Sequence, residues 1–279
     1  MINGIRFIIG NKCNYKCFYC HHEGVFNETV CSDFENKINL IYLYCMENGI
    51  TRISVTGGEP LLYWGKLKYI IDKFNSDQFS LSINTNAFFI DKYINYFKNL
   101  SCKIEFHINV SSLNKEVHRK ISGVQTFEKM LVNLKLLKDS NIKVCLNTIL
   151  LNNINSNEIT NLLKYCKENN FLLRLLQYLP QNNEENNLII NEKGLSSILP
   201  NVKVGPINSY GIFQCSYLNY DFEFVKNLCC DKLCDRCKST SYIHFTPEMN
   251  IKRCMMDENF EKVDYSSYNT FKKAIEKEE

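Results

Sequence analysis

The chain has 279 residues, 45% hydrophobic and 23% charged, which is the composition of an ordinary soluble globular protein. Its formal net charge of +3 gives no argument for nucleic acid or an acidic membrane surface, so we expect neither DNA nor a membrane as a partner. It shows neither signal-peptide regions nor a membrane-span-length apolar stretch, so we expect a cytoplasmic protein, in which 14 cysteines indicate metal or redox chemistry.

Strand-like and helix-like segments alternate through the first part of the chain. Helical stripes of apolar residues lie at Phe34–Glu47 and Phe127–Lys138, and a third helix is predicted after Ser156. The apolar, strand-like segments are Ile5–Gly10, Arg52–Val55, Phe79–Asn84, Ile104–Val110, Val144–Leu150 and Leu172–Tyr178. This alternation implies parallel βα units, and we predict an α/β fold with a partial (β/α)6 TIM-type barrel.

The character of the sequence changes after Pro180. A polar run at 181–187 is typical of a loop, and six of the 14 cysteines follow, from Cys215 to Cys254. We therefore predict a core domain over residues 1–180 and a cysteine-rich, metal-binding extension over residues 181–279.

The first predicted strand leads into a loop that carries Cys13, Cys17 and Cys20. Three thiolates with C-x3-C-x2-C spacing can bind three irons of a [4Fe–4S] cluster and leave the fourth iron open to an amine and a carboxylate. With His21 or His22 they could instead form a Cys3His zinc site. The motif resembles that of the radical S-adenosylmethionine (SAM) superfamily, and this resemblance implies a [4Fe–4S] cluster that binds SAM.

The segment Gly57-Gly58-Glu59-Pro60 closes the second predicted strand. Two glycines let the backbone approach a ligand closely, and the carboxylate and backbone groups can bind an ammonium group. Barrels of this type place their active sites at the carboxyl ends of the strands. The resemblance to the superfamily implies that Gly57, Gly58 and Glu59 hold the methionine amino group of SAM, and a simple tight turn is the alternative.

Three further residues are assigned to the cofactor site by the same resemblance. Asn86 follows the third strand, Ser111 follows the fourth, and Tyr19 directly precedes the last cysteine of the loop. The resemblance implies that Asn86 and Ser111 contact the ribose and methionine parts of SAM, and that Tyr19 lies near the adenine. Ordinary polar loop residues, and core packing for Tyr19, are the alternatives.

A third cysteine group lies in the extension, where Cys234, Cys237 and Cys254 form a C-x2-C pair with a distant third cysteine. The pattern is typical of a metal site, and zinc bound by four thiolates is one interpretation. The sequence leaves the fourth ligand undecided between Cys215, Cys229, Cys230 and an open position without a cysteine.

Segments of the chain resemble the GTP 3′,8-cyclases of molybdenum-cofactor biosynthesis. They include Cys234-Asp235-Arg236-Cys237, the stretch FTPEMNIKRC at 245–254, and RLLQYLP at 174–180. The resemblance implies that Cys234, Cys237 and Cys254 bind an auxiliary [4Fe–4S] cluster that meets the substrate. It also places Arg174, on the sixth strand, among the cofactor-binding residues.

The chain departs from that family at several basic positions. The arginines that follow the family's C-x2-C and bind the triphosphate are replaced by the segment KSTSY at 238–242, and the basic residue of strand five is replaced near Cys145. Lys12 precedes the loop where the family has arginine, and Tyr63-Trp64 stand where it often has a basic residue. A triphosphate needs several fixed cations, so we expect a substrate other than GTP.

The predicted function is that of a radical SAM enzyme. It would cleave SAM reductively to a 5′-deoxyadenosyl radical that takes hydrogen from a small molecule, a nucleotide or a peptide. The predicted partner is an external one-electron donor of the flavodoxin or ferredoxin type. The alternatives are a true GTP 3′,8-cyclase and a non-enzymatic zinc or electron-transfer protein, and the sequence identifies no catalytic side chain.

Overall fold

A computed structural model describes residues 2–25, 30–180, 183–208, 210–227, 242–253 and 259–276. Of the predicted metal ligands, Cys13, Cys17 and Cys20 are among them. The third cysteine group, for which the sequence predicts a metal site, lies outside the described residues; it comprises Cys229, Cys230, Cys234, Cys237 and Cys254.

All six predicted strands are present and parallel. They are β1 (Gly4–Ile8), β2 (Arg52–Thr56), β3 (Ser80–Thr85), β4 (Lys103–Asn109), β5 (Lys143–Leu150) and β6 (Leu172–Gln177). They lie side by side in chain order, as expected for successive right-handed βα units. The mostly parallel sheet with its intervening helices is the partial TIM-type fold that the sequence predicts.

The described helices include the three that the sequence predicts. They are α1 (Phe34–Glu47), α2 (Trp64–Lys73), α3 (Ile90–Phe97), α4 (Lys115–Ser122), α5 (Phe127–Asp139), α6 (Ile159–Asn169), α7 (Glu192–Ile198) and α8 (Tyr268–Ile275). Helix α4 is bounded by clear signals. The side chain of Asn114 accepts from the amides of Glu116 and Val117, and Gly123 ends the helix in the left-handed conformation with φ of 70°.

The C-terminal residues contribute five strands to the same sheet. They are β7 (Lys203–Ile207), β8 (Ile212–Tyr217), β9 (Tyr220–Val225), β10 (Tyr242–Phe245) and β11 (Ile251–Lys252). Strand β9 pairs in parallel with β6, and β10 pairs in parallel with β1, so the late strands extend both edges of the six-stranded core. The sequence predicts none of these five strands, because short strands carry little periodic signal.

A large hydrophobic core fills the space between the sheet and the helices. It includes Cys45, Cys102 and Cys166, which the sequence places in apolar segments and which are buried in the structure. Helix α8 packs on α1, where the Phe271 ring meets that of Tyr44 edge-on at a centroid distance of 6.0 Å. None of the helices among the described residues combines the length and apolar character needed to cross a bilayer.

Candidate active site

The cysteine loop is held against the end of α4. The amide of Lys16 donates to the carbonyl of Ser122 at 2.9 Å, and the amide of Phe18 donates to the carbonyl of Ile121 at 3.3 Å. These carbonyls belong to the last turn of α4, where a helix leaves its acceptors without internal partners. The loop therefore occupies acceptors that the helix cannot satisfy itself.

The Gly57-Gly58 pair brings the same loop against the end of β2. The amide of Gly58 donates to the carbonyl of Gly10 at 2.9 Å, and the amide of Glu59 donates to that of Lys12 at 2.8 Å. A Cβ atom on Gly58 would lie 2.1 Å from the carbonyl oxygen of Lys12, and one on Gly57, which has φ of 143°, would lie 2.5 Å from that of Gly10. The close approach that demands glycine here is to the cysteine loop itself.

Tyr63 fixes the loop from the other side. Its phenolic oxygen accepts from the amide of Lys12 at 2.6 Å, and a Cβ on Gly10 would lie 2.1 Å from its ring. Sequence reasoning missed this role, since it noted Tyr63 and Trp64 only as standing where the GTP 3′,8-cyclases often have a basic residue. Trp64 instead stacks on Tyr93 at a centroid distance of 3.8 Å.

The thiols of the loop lie among amide groups. The sulfur of Cys13 accepts from the amide of Tyr15 at 3.3 Å and lies 3.8 Å from the Nδ2 atom of Asn86, while Asn109 Nδ2 lies 4.0 Å from the sulfur of Cys17. Burial raises the pKa of Cys13 to about 11 and that of Cys17 to about 12. Within the described residues, no three His, Cys, Asp or Glu side chains converge on a single metal-ion position. A [4Fe–4S] cluster does not need such convergence, because its thiolates bind separate irons.

Glu59 is completely buried beside the loop, and three donors surround its carboxylate. Its Oε1 atom accepts from the amide of Leu61 at 3.0 Å and from the hydroxyl of Thr85 at 2.7 Å, and its Oε2 atom accepts from the amide of Asn86 at 2.8 Å. Burial raises the pKa of Glu59 to about 7 despite these hydrogen bonds. The side chain of Asn86 reaches back to the cysteine loop and donates to Asn14 Oδ1 at 2.8 Å.

Tyr19 links the cysteine loop to the end of β4. Its buried hydroxyl donates to Asn109 Oδ1 at 2.9 Å and lies 3.5 Å from the hydroxyl of Ser111. Burial raises the pKa of the Tyr19 phenol, so the group stays protonated at neutral pH. The structure thus brings Tyr19, Ser111, Asn86 and Glu59 to the strand ends around one loop.

Two other predicted residues lie apart from this loop. Arg174, on β6, forms an ion pair with Glu223 on β9, with Nε and Oε2 2.6 Å apart. Cys215 is buried in the hydrophobic core, where its thiol donates to the carbonyl of Phe213, and burial raises its pKa to about 11.

Comparison with known proteins identifies the family. The model of the radical SAM superfamily matches residues 7–166, which is more than half of the chain. The chain belongs to the radical SAM superfamily. It is an enzyme of the radical SAM type, and the family uses a [4Fe–4S] cluster and SAM.

Proteins with similar sequences include GTP 3′,8-cyclases. The chain is 28% identical over 188 residues to that of Campylobacter jejuni (strain RM1221), covering 64% of this chain and 56% of the relative. It is 24% identical over 184 residues to the probable GTP 3′,8-cyclase of Methanocaldococcus jannaschii, covering 66% of this chain and 61% of the relative. The chain therefore spans less than two thirds of the length of these relatives.

Solved radical SAM structures share the fold. Streptococcus suis SuiB bound to its precursor peptide SuiA superposes with a TM-score of 0.73 and 12% identity, covering 99% of this chain and 65% of SuiB. The enzyme anSMEcpe with bound SAM and a peptide superposes with a TM-score of 0.54 and 21% identity, covering 70% of this chain and 56% of that one. At these identities the likeness concerns the fold alone.

The loop fits the cofactors of the family. Three thiols on one loop match the donor set of a [4Fe–4S] cluster that keeps one iron open. The carboxylate of Glu59 and the amide of Asn86 are polar groups of the kind that bind an amino acid. Cys13, Cys17 and Cys20 would hold the cluster, and Glu59, Asn86 and Ser111 would hold SAM.

Proposed function

We propose that Cys13, Cys17 and Cys20 bind a [4Fe–4S] cluster and that the protein uses SAM beside it to abstract hydrogen from a small-molecule, nucleotide or peptide substrate. The observation that carries the proposal is the docking of the cysteine loop onto the end of β2. The two backbone hydrogen bonds from Gly58 and Glu59 support a SAM site directly beside the cysteines.

When bound, the cluster supplies one electron from an external flavodoxin- or ferredoxin-type donor for the cleavage of SAM to methionine and a 5′-deoxyadenosyl radical. The protein's own residues bind and orient. Glu59 would attract the methionine ammonium, and Asn86 and Ser111 would contact the methionine and ribose. Tyr19, held by Asn109, would pack near the adenine.

The test is anaerobic reconstitution with iron and sulfide, followed by incubation with SAM and dithionite. We expect 5′-deoxyadenosine in the wild type and none in a variant with Cys13, Cys17 and Cys20 all changed to Ala. Cys31→Ala is the matched control, because Cys31 is a half-buried thiol outside these motifs. Zinc at full occupancy with no iron after anaerobic purification would contradict the proposal.

We further propose that Cys234, Cys237 and Cys254 bind a second [4Fe–4S] cluster near the substrate. Described residues that flank this group are tied to β6 and to the turn that follows the cysteine loop. The amide of Asn227 donates to Gln177 Oε1 at 3.0 Å, and Lys252 Nζ donates to the carbonyl of Glu23 at 2.6 Å. Reconstituted protein should then hold about eight irons, at roughly four per cluster. Replacing Cys234 and Cys237 by Ala should halve that content.

The second candidate is GTP 3′,8-cyclase activity, which the similarity to the Campylobacter enzymes favours. The missing cations argue against it, and we expect no cyclised product from GTP. Mass spectrometry after incubation with SAM, dithionite and GTP decides the point. Stoichiometric conversion of GTP to a cyclic product would establish the cyclase and overturn our expectation.

A further inference from the structure

Five polar residues form one register row across five adjacent strands. Asn109 on β4 pairs with Asn147 on β5, and Asn147 pairs with Arg174 on β6. Arg174 pairs with Glu223 on β9, which pairs with Gln214 on β8. We call these five residues the polar row.

The polar row lies on the face of the sheet that the helices leave uncovered. Its sequence neighbours Ile108, Leu146, Leu175 and Phe224 are completely buried in the core that the helices share. Side chains alternate between the two faces of a strand, so the polar row points the other way. Its members are half-buried or exposed, unlike those neighbours.

One end of the polar row reaches the cysteine loop. Asn109 accepts from the hydroxyl of Tyr19, and its Nδ2 atom lies 4.0 Å from the sulfur of Cys17. From there the row runs across the open face toward β8. A substrate that meets a radical formed beside the cysteine loop would lie along this row.

The two charged members of the polar row, Arg174 and Glu223, neutralise each other. The guanidinium of Arg174 and the carboxylate of Glu223 are in contact at 2.6 Å, and their side chains are 26% and 27% exposed. The second oxygen of Glu223 accepts from Gln214 Nε2 at 3.2 Å, which fixes the carboxylate in place. An anion that approached Arg174 would have to compete with the carboxylate of Glu223, which is already in position. The same carboxylate would repel the anion.

We propose that the polar row is the floor of the substrate site and that Glu223 determines its specificity by neutralising Arg174. The site then selects an uncharged or zwitterionic polar substrate and rejects a polyphosphate. This inference rests on the proposed function, because it needs the substrate to lie beside the cysteine loop. The three amide side chains of the row offer both donors and acceptors to such a substrate.

The experiment measures anion binding by calorimetry, with sodium pyrophosphate and GTP as probes, on reconstituted protein containing SAM. Glu223→Gln keeps the shape of the side chain and removes its charge. We expect it to bind pyrophosphate at least about tenfold more tightly than the wild type, because a guanidinium becomes available for charge-assisted hydrogen bonds. The double variant with Arg174→Met should lose that gain.

Glu105→Gln is the matched control. Glu105 also lies on the uncovered face, but its direct partner is His107, with Oε1 and Nε2 3.4 Å apart, and it acts on Arg174 only through a longer-range attraction. We therefore expect a clearly smaller gain than in Glu223→Gln. An equal gain in this control, or no gain in Glu223→Gln, would overturn the proposal. If Glu223→Gln does not fold, the single variant Arg174→Met is compared with the wild type instead. Markedly weaker binding of pyrophosphate by this variant would show that Arg174 is not neutralised.

The calorimetric result and the proposed function can be tested independently. Formation of 5′-deoxyadenosine by the wild type tests the radical chemistry and does not depend on the anion probes. Its absence would refute the proposed function whatever the calorimetry shows, whereas normal SAM cleavage with no gain in anion binding would refute only the role of Glu223.

Discussion

The cysteine-loop side of the sheet, at β1–β3, and the polar-row side, at β4, β5, β6, β9 and β8, are built in different ways. On the first side, the closest contacts join backbone to backbone, where the amides of Gly58 and Glu59 donate to the loop carbonyls of Gly10 and Lys12, and side chains such as that of Tyr63 add to them. On the second side, side chains hold side chains, as in the pair of Arg174 and Glu223.

The difference matters for how each side tolerates change. A backbone contact that excludes a Cβ atom restricts the residue to glycine, whereas a side-chain pair can be exchanged without moving the strands. We infer that the cofactor side is the constrained part of the molecule and the substrate side is the adaptable part. The following predictions probe this contrast.

Gly58→Ala should have the largest effect. Its Cβ would lie 2.1 Å from the carbonyl oxygen of Lys12, which is backbone and cannot rotate away, so the cysteine loop must shift. We expect a loss of stability of about 1–3 kcal/mol or more and much lower iron retention. Thermal unfolding and iron analysis after reconstitution measure both.

Gly65→Ala is the control for this variant. No described atom lies within 4 Å of a Cβ built on Gly65, which sits in α2. Alanine there should leave iron retention unchanged and stabilise the helix by up to about 1 kcal/mol. If both variants retained iron equally, close packing of the glycine pair on the loop would not matter.

Glu59→Gln should have the next largest effect, on SAM affinity. Loss of a charge-assisted hydrogen bond to the methionine ammonium should cost about 1.5–3 kcal/mol, or roughly ten- to a hundredfold in affinity, with iron content unchanged. Equilibrium dialysis with labelled SAM measures the change. Unchanged affinity would show that the Gly57–Pro60 segment serves only to hold the cysteine loop.

The pH dependence of SAM binding tests the same carboxyl group. Because burial raises the pKa of Glu59 from 4.5 to about 7, folding favours its neutral form. The stability that this raised pKa contributes is therefore fully present below about pH 4.5 and is lost as the pH rises through about 7. The ammonium of SAM favours the charged form, so affinity should increase as the pH rises through about 7 in the wild type. In Glu59→Gln this increase should disappear.

The six core strands could be predicted from the sequence, whereas the side-chain pairing in the polar row could not, for a physical reason. The six parallel strands and the cysteine spacing are local patterns of apolar runs and short intervals, so they can be recognised without tertiary information. The pairing of Arg174 with Glu223 depends on β9 lying beside β6, a contact between residues far apart in the chain. The role of Tyr63 was missed for the same reason, because it depends on a contact with Lys12, which is distant in the chain.

Tyr63→Phe should have the smallest effect and gives the sharpest test of the contrast. The variant keeps the ring over Gly10 and removes only the oxygen that accepts from the amide of Lys12. The free energy of unfolding should fall by about 0.5–1.5 kcal/mol, the usual worth of one hydrogen bond. Because Lys12 adjoins Cys13, freeing its amide should also change the electron paramagnetic resonance signal of the reduced cluster. An unchanged signal with reduced stability would mean that Tyr63 supports the fold without positioning the cysteines. In that case the glycine contacts and the contacts with the end of α4 would position the cysteines.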